Sequence, residues 1–339
     1  MKKGVTLKDI AKKLNMSVST VSKALSNDTS ISLPTKERVK ELAVEWNYIP
    51  NEAARHFKLS KTFTLGLIIP DLLDQYYVLS INGVEQVAAF HKYQVIVAQS
   101  RDEAVNEEKI IDLMIRSRVD GVIASIAKNT VDMHPFQRLK SMGIPVVFFA
   151  RSPKEENAHC VYTDSFDGAL KATDFLLRKG HRRIAHLMGP HSLAIAQTRL
   201  QGYKKALDDY ALPFDPRLVK DVDFSPGTTF QAMRELMQLK EPPTAVFSFK
   251  NYINLDAVDY LKNNMPAMLG KIDFAGFGNL PMLQYLQYKP VASVEESPYT
   301  LGEEAARLVF SLIHNEEGHT ADTYQRIKIP CTLIVHDNS

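Results

Sequence analysis

The sequence predicts a small all-α head carrying a helix-turn-helix, followed by an α/β body made of two doubly wound parallel-sheet lobes. Three observations predict it. Residues 1–60 hold eleven Lys and Arg against six Asp and Glu, and the remainder holds 30 against 33, so a basic head precedes a mildly acidic body. Within that head, apolar residues recur at helical intervals in short blocks broken by polar turns. Beyond about residue 62, continuous apolar runs alternate with amphipathic stretches, the pattern of parallel strands covered on both faces by helices. At 339 residues, 45% hydrophobic and 24% charged, the chain has ordinary globular composition and room for two or three domains.

The head is justified element by element. Thr6-Leu7-Lys8-Asp9 has capping-box spacing with Asp in the position that reaches back, and Leu7, Ile10, Ala11 and Leu14 follow on one helical face. Asn15 and Met16 break the pattern. Ser17 then caps a second helix whose apolar positions are Val18, Val21, Ala24 and Leu25. Pro34 suits the first turn of a third helix, with Val39, Leu42, Ala43 and Trp46 closing a small core. On the second helix Val18, Ser19, Thr20, Ser22 and Lys23 project away from that core. Short polar side chains beside one long cation suit base edges and phosphates in a major groove. Three-helix units of this size also bind proteins, so the motif alone leaves both kinds of partner open.

In the body, strands are expected at Leu65 to Ile69, Val95 to Ala98, Val119 to Ala124, Pro145 to Phe149, Ile184 to Met188, Ala245 to Phe249, Ile272 to Phe277 and Val291 to Val294. Two doubly wound lobes place a ligand in the crevice at the carboxyl ends of their strands. Cys160 and Cys331 each lie beside a strand-like run with no Cys or His at metal-ligand spacing, and are read as buried thiols.

Three blocks in one register carry a specific resemblance: Val5-Thr6-Leu7-Lys8-Asp9-Ile10-Ala11, Val18-Ser19-Thr20-Val21-Ser22-Lys23-Ala24-Leu25, and Asn47-Tyr48-Ile49-Pro50-Asn51. In the body Asp164-Ser165, Gly180-His181-Arg182-Arg183-Ile184-Ala185 and Arg199-Leu200-Gln201-Gly202-Tyr203 extend it. The chain resembles the lac repressor (LacI/GalR) family, whose body is like the periplasmic sugar-binding proteins. The resemblance implies a head at 1–50, a hinge helix and linker at 51–61, and an effector-binding body at 62–339. It assigns one lobe to about 62–162 plus 291–322 and the other to about 163–290 plus 323–339. It implies that Val18, Ser19 and Lys23 read bases and that Thr20 and Ser22 lie near phosphates. The implied DNA-contacting set is completed by Thr6, Ser17, Asn27, Tyr48 and Asn51, with Ala54 and Phe57 as a minor-groove wedge at i and i+3. The family usually has Leu where this chain has Phe57.

The candidate effector set comprises Tyr76, Tyr77, Ser125, Arg151, Phe166, Arg199, Phe224, Lys250 and Glu296. Ser125 and Arg151 follow the third and fourth strands, and the resemblance implies sugar-stacking aromatics at Tyr76 and Tyr77, whose alternative is core packing. Arg199 and Phe224 match a sugar-hydroxyl ligand and a stacking aromatic. Two family carboxylates are missing: Lys250-Asn251 stands where Asn-Asp is common, and Gly276-Phe277-Gly278 lacks the usual Asp. The gained Lys250 either reads an anionic effector, such as a sugar acid or sugar phosphate, or points to solvent.

The implied partners are a palindromic double-stranded operator, a sugar-like effector and a second copy of the chain, because a single head reads only a half-site. No cofactor, metal or catalytic residue is expected. The sequence lacks a Gly-x-Gly-x-x-Gly fingerprint, a phosphate loop, a Gly-x-Ser-x-Gly elbow and His-Glu-x-x-His, and His181 suits a helix end better than a general base. With no membrane-length apolar run and no cleavable leader, a cytoplasmic protein is expected. The ending at Asp337-Asn338-Ser339 gives no expectation of a tetramerising heptad tail. A solute-binding protein is the alternative from another class, with a sugar-metabolising enzyme third.

Overall fold

The computed structural model describes residues 5–48, 61–153, 157–314 and 324–336. The expected hinge helix, with Asn51, Ala54 and Phe57, lies outside the described residues. Two compact units divide near residue 62.

The head is built from α1 (Leu7–Leu14), α2 (Val18–Leu25) and α3 (Leu33–Glu45). The capping box is complete: the Asp9 amide donates to Thr6 Oγ1 at 3.4 Å, and the Thr6 amide donates to Asp9 Oδ2 at 2.9 Å. Asn15 ends α1 in the left-handed region at φ 56°, a conformation that Asn tolerates. Ser17 caps α2 by accepting from the Thr20 amide at 3.0 Å. Ile10, Ala11, Val21, Ala24, Val39, Leu42 and Ala43 form the core, with Trp46 and Tyr48 packed against it. A core this small is stabilised largely by its caps and packing together.

The body contains two six-stranded sheets. The first holds β1 (Thr64–Ile69), β2 (Gln94–Gln99), β3 (Gly121–Ala124), β4 (Val146–Phe149), β5 (His159–Thr163) and β11 (Arg326–Ile329), in the order β11-β5-β4-β3-β1-β2, every pairing parallel. The second holds β6 (Ile184–Met188), β7 (Val219–Asp221), β8 (Ala245–Ser248), β9 (Asp273–Phe277), β10 (Ala292–Glu295) and β12 (Thr332–Val335), in the order β12-β10-β9-β8-β6-β7. Among the described residues of this second sheet, β10 and β12 pair antiparallel and the other pairings are parallel. Helices α4 (Gln75–Phe90), α5 (Ala104–Arg116), α6 (His134–Ser141) and α11 (Pro298–His314) accompany the first sheet. Helices α7 (Ser165–Arg178), α8 (Ala194–Asp209), α9 (Pro226–Met237) and α10 (Asn251–Asn264) accompany the second.

The lobe boundaries differ from those expected. Segment 291–322 does not go whole to the first lobe, because β10 pairs with β9 in the second sheet and only α11 returns to the first. Likewise 323–339 is shared: β11 pairs with β5 in the first sheet and β12 with β10 in the second. The chain thus crosses between lobes at Thr163–Ser165, at Glu296–Ser297 and at Pro330–Cys331. Gly83 and Gly302 let α4 and α11 approach closely. A Cβ on Gly83 would come within 2.1 Å of the Tyr299 carbonyl oxygen, and one on Gly302 within 2.1 Å of that of Ser80. Cys160 and Cys331 are both free and buried.

Candidate nucleic-acid interface and effector cleft

On α2 the buried residues are Val21 and Ala24, leaving Val18, Ser19, Ser22 and Lys23 exposed on the other side, with Thr20 half-buried. The helix therefore offers one apolar contact, two hydroxyls and one cation to a partner. The remaining described members of the predicted DNA set have partners within the head. Thr6 and Ser17 act as helix caps. Asn27, at φ 58°, accepts a hydrogen bond from Lys40 Nζ at 2.6 Å, and Tyr48 packs on the core.

In the body, both lobes direct charged side chains into one cleft from the carboxyl ends of their strands. After β1, Asp74 caps α4 by accepting from the Tyr76 amide at 3.0 Å. Arg199, on the first turns of α8, is buried with its guanidinium carbon 3.5 Å from the Phe277 ring centroid and 4.4 Å from that of Phe249. Its Nη2 donates to Glu296 Oε1 at 2.7 Å and its Nη1 to the Phe249 carbonyl oxygen. Burial pushes the Glu296 carboxyl above the ordinary carboxylate range, against the opposing pull of Arg199. Such a pair needs both members, since either alone is an uncompensated buried charge.

Lys250 Nζ lies 3.4 Å from Asp74 Oδ2, joining the end of β8 in the second lobe to the start of α4 in the first. Phe224 has φ 74°, in the left-handed region. Its ring centroid is 4.7 Å from Lys250 Nζ and 5.3 Å from the Arg151 guanidinium carbon. Arg151 Nη1 in turn contacts Asp102 Oδ1 at 2.5 Å. Further bonds join the lobes: the Gln75 amide donates to Tyr252 Oη at 3.2 Å, the Met282 amide to Gln75 Oε1 at 3.3 Å, and Lys128 Nζ to the Asp223 carbonyl oxygen at 3.1 Å.

The structure gathers Tyr76, Tyr77, Arg151, Arg199, Lys250 and Glu296 around one inner cavity of about 50 Å³. Arg151 and Lys250 also border a neighbouring cavity of about 460 Å³, where Phe224 joins them. Lys250 borders both cavities, with its side chain 25% exposed. Tyr77 serves both cavity and core: its hydroxyl lies 3.2 Å from Ser125 Oγ, and burial pushes its pKa up to about 12. Two expected residues stand apart from these cavity walls. Ser125 is buried behind Tyr77 and accepts from the Arg151 amide at 3.4 Å, while Phe166 is partly exposed on the first turn of α7. Sequence reasoning missed Asp74, Asp102, Phe249 and Tyr252. Only Asp74 left a local signal, as a capping residue just before the aromatic start of a helix.

Among the described residues there is no cluster of His, Cys, Asp or Glu able to hold a metal ion, and no helix long and apolar enough to cross a membrane. The family described as "Periplasmic binding proteins and sugar binding domain of LacI family" matches residues 62–337, and "Bacterial regulatory proteins, lacI family" matches residues 6–51. The HTH-type transcriptional repressor CytR of Escherichia coli (strain K12) is 29% identical over 334 residues, covering 98% of this chain and 96% of that one. The repressor PurR of Haemophilus influenzae (strain PittGG) is 26% identical over 332 residues, covering 97% of each. Among solved structures, a transcriptional regulator CelR–cellobiose complex is 26% identical with a TM-score of 0.73, over 99% of this chain and 100% of that one. The lac repressor dimer bound to operator and the anti-inducer ONPF has a TM-score of 0.82 at 21% identity, over 98% of each chain, and shares the fold. With a helix-turn-helix head on a two-lobed, sugar-binding-type body, both matched along their lengths, the chain belongs to the LacI family of bacterial regulatory proteins.

Proposed function

We propose that the protein is a homodimeric, cytoplasmic transcription regulator without catalytic activity, binding a palindromic operator and responding to a sugar or sugar derivative held between its lobes. In this reading Val18, Ser19 and Lys23 face base edges, Thr20 and Ser22 face phosphates, and Thr6, Ser17, Asn27, Tyr48 and Asn51 position the head on the backbone. Ala54 and Phe57 form the minor-groove wedge. The observation that carries the sensing role is the Arg199–Glu296 pair, buried at the meeting of two lobes and stacked on Phe277. A buried cation with donors to spare, beside a carboxylate acceptor, suits a ligand rich in hydroxyl groups. The cellobiose named with the CelR structure belongs to that chemical class.

The test is fluorescence anisotropy with duplexes tiled across the gene's upstream region, with and without a panel of mono- and disaccharides, sugar acids and sugar phosphates. One fragment should bind far more tightly than random duplex at physiological salt, with affinity changed by one panel member. Equal affinity for every fragment would remove the regulator reading. On linkage grounds the operator must alter ligand affinity by the same factor as the ligand alters operator affinity.

A further inference from the structure

Resting on that reading of the cleft, we infer that Glu296 is a built-in counter-ion that occupies Arg199 and excludes anionic ligands, making it the charge-selecting residue of the site.

Three cations border the inner cavity, and each already has a carboxylate. Arg199 meets Glu296 at 2.7 Å, Arg151 meets Asp102 at 2.5 Å, and Lys250 meets Asp74 at 3.4 Å. The carboxylates therefore match the cations one for one, and Lys250 does not stand as an unopposed cation. Of the three pairs, Arg199–Glu296 is the most deeply buried, with side chains 4% and 7% exposed, so solvent screens it least. Arg199 is also enclosed by the Phe249 and Phe277 rings, which leave a ligand few directions of approach.

The donor count gives the second half of the argument. A guanidinium has five N–H donors. Here one goes to Glu296 and one to the Phe249 carbonyl, while Nε is buried without a partner among the described residues. The remaining donors call for acceptor oxygens, and the neighbouring carboxylate calls for a donor. A hydroxyl satisfies both at once. A carboxylate or phosphate satisfies only the arginine and sets its charge against Glu296 at close range, and against Asp74 nearby. Like charges brought together in a desolvated site are strongly disfavoured, which is how charge selectivity arises by exclusion.

Removing the Glu296 charge should turn Arg199 into an anion trap, and this can be measured without knowing the effector. The experiment is thermal unfolding of the full chain as wild type, Glu296→Ala and Glu296→Gln, titrated with sodium formate, sodium acetate and inorganic phosphate against sodium chloride at matched ionic strength. Formate fits the space left by Glu296→Ala, while Glu296→Gln keeps the volume and an acceptor and serves if the alanine variant folds poorly. The expected result is a saturable rise in melting temperature with formate or acetate in at least one variant, and none beyond the chloride control in wild type. Apparent anion affinity should rise about tenfold or more. In Arg199→Met/Glu296→Gln the response should vanish. Equal stabilisation of wild type and variants, or anion response in neither variant, overturns the inference; so does a response that survives removal of Arg199. Because the assay uses neither operator nor effector, such a failure leaves the regulator reading standing, whereas that reading fails by its own DNA-binding test.

Discussion

His186 lies wholly buried in the middle of β6, stacked on Phe247 at 4.7 Å and 12° and on Tyr203 at 5.3 Å and 23°. Its Nδ1 is 3.0 Å from the Phe247 carbonyl oxygen, which makes Nδ1 the donor, and Nε2 is buried without a partner among the described residues. Burial, the leading cause, pushes its pKa down from 6.5 to about 4. Because the folded-state value is depressed, the unfolded chain takes up the proton first. The stability due to neutral His186 is complete above about pH 6.5 and is lost as pH falls from there towards 4. At 1.36 kcal/mol per pKa unit, the loss across that window comes to about 3 kcal/mol. Asp223, whose pKa is held down to about 2 by hydrogen bonds from Ser225 and Thr228, acts in the same sense but in a lower window. The assay is urea unfolding of wild type and His186→Phe at intervals from pH 7.5 to 4.5. A phenyl ring preserves the stack and cannot titrate, so the variant should keep about 2.5 kcal/mol more of its neutral-pH stability at pH 4.5. Parallel pH profiles for the two proteins would refute the reasoning, because contributions from Asp223 and the other carboxylates are common to both.

Four further outcomes are expected. Thr6→Ala removes one half of the capping box and should lower head stability by about 0.5–2 kcal/mol, read as faster amide exchange across α1, α2 and α3 in the full chain. Gly302→Ala forces a methyl group against the Ser80 carbonyl and should destabilise the body by about 1–3 kcal/mol in urea unfolding; an unchanged midpoint would mean that the two helices separate freely. Lys23→Ala should weaken operator binding by roughly 1–3 kcal/mol and relax preference at one base per half-site, whereas a uniform loss on all sequences would make it a phosphate contact only. Arg199→Ala should abolish the ligand response while operator binding persists, which the anisotropy assay reads directly.

How much of this was legible in the sequence depended on whether a feature was local. The head could be read residue by residue, since Thr6, Ser17 and the apolar spacing each act within one or two turns. Central strands of the body were legible because β1, β3, β4, β6, β8 and β9 carry apolar residues on both covered faces. The strands not anticipated include β7 (Val-Lys-Asp) and β11 (Arg-Ile-Lys-Ile) at sheet edges, where one side meets solvent and polar residues interrupt the run. Lobe membership was misjudged for the same underlying reason: nothing local to Ala292–Glu295 or Arg326–Ile329 specifies which sheet each joins. The cleft repeats the lesson. Asp74, the carboxylate beside Lys250, stands 176 positions away from it in the chain, and the pairing of Arg199 with Glu296 spans 97.

The positions of the three lobe crossings bear on how a ligand could move the body. Glu296 occupies one crossing itself, between the end of β10 in the second sheet and the start of α11 against the first. The next residue, Ser297, has φ 51° and accepts through its carbonyl from the Leu301 amide at 2.9 Å, so the turn there is defined by a strained residue and a helical bond together. At another crossing the Cys331 carbonyl accepts from Lys171 Nζ at 2.9 Å, fixing the link between β11 and β12 to α7. A ligand that engages the Arg199 guanidinium therefore acts on a residue at the crossing, and need not pull two distant walls together. If the hydrogen bonding of Glu296 changes when a ligand binds, the change falls on the residue that links β10 of the second sheet to α11 on the first. We accordingly expect substitutions at Ser297 to alter the size of the ligand response more than ligand affinity. Ser297→Gly, which adopts positive φ without strain, and Ser297→Ala, which does not, should shift it in opposite directions. Anisotropy titrations of the two variants decide the matter, and identical responses would place the coupling elsewhere.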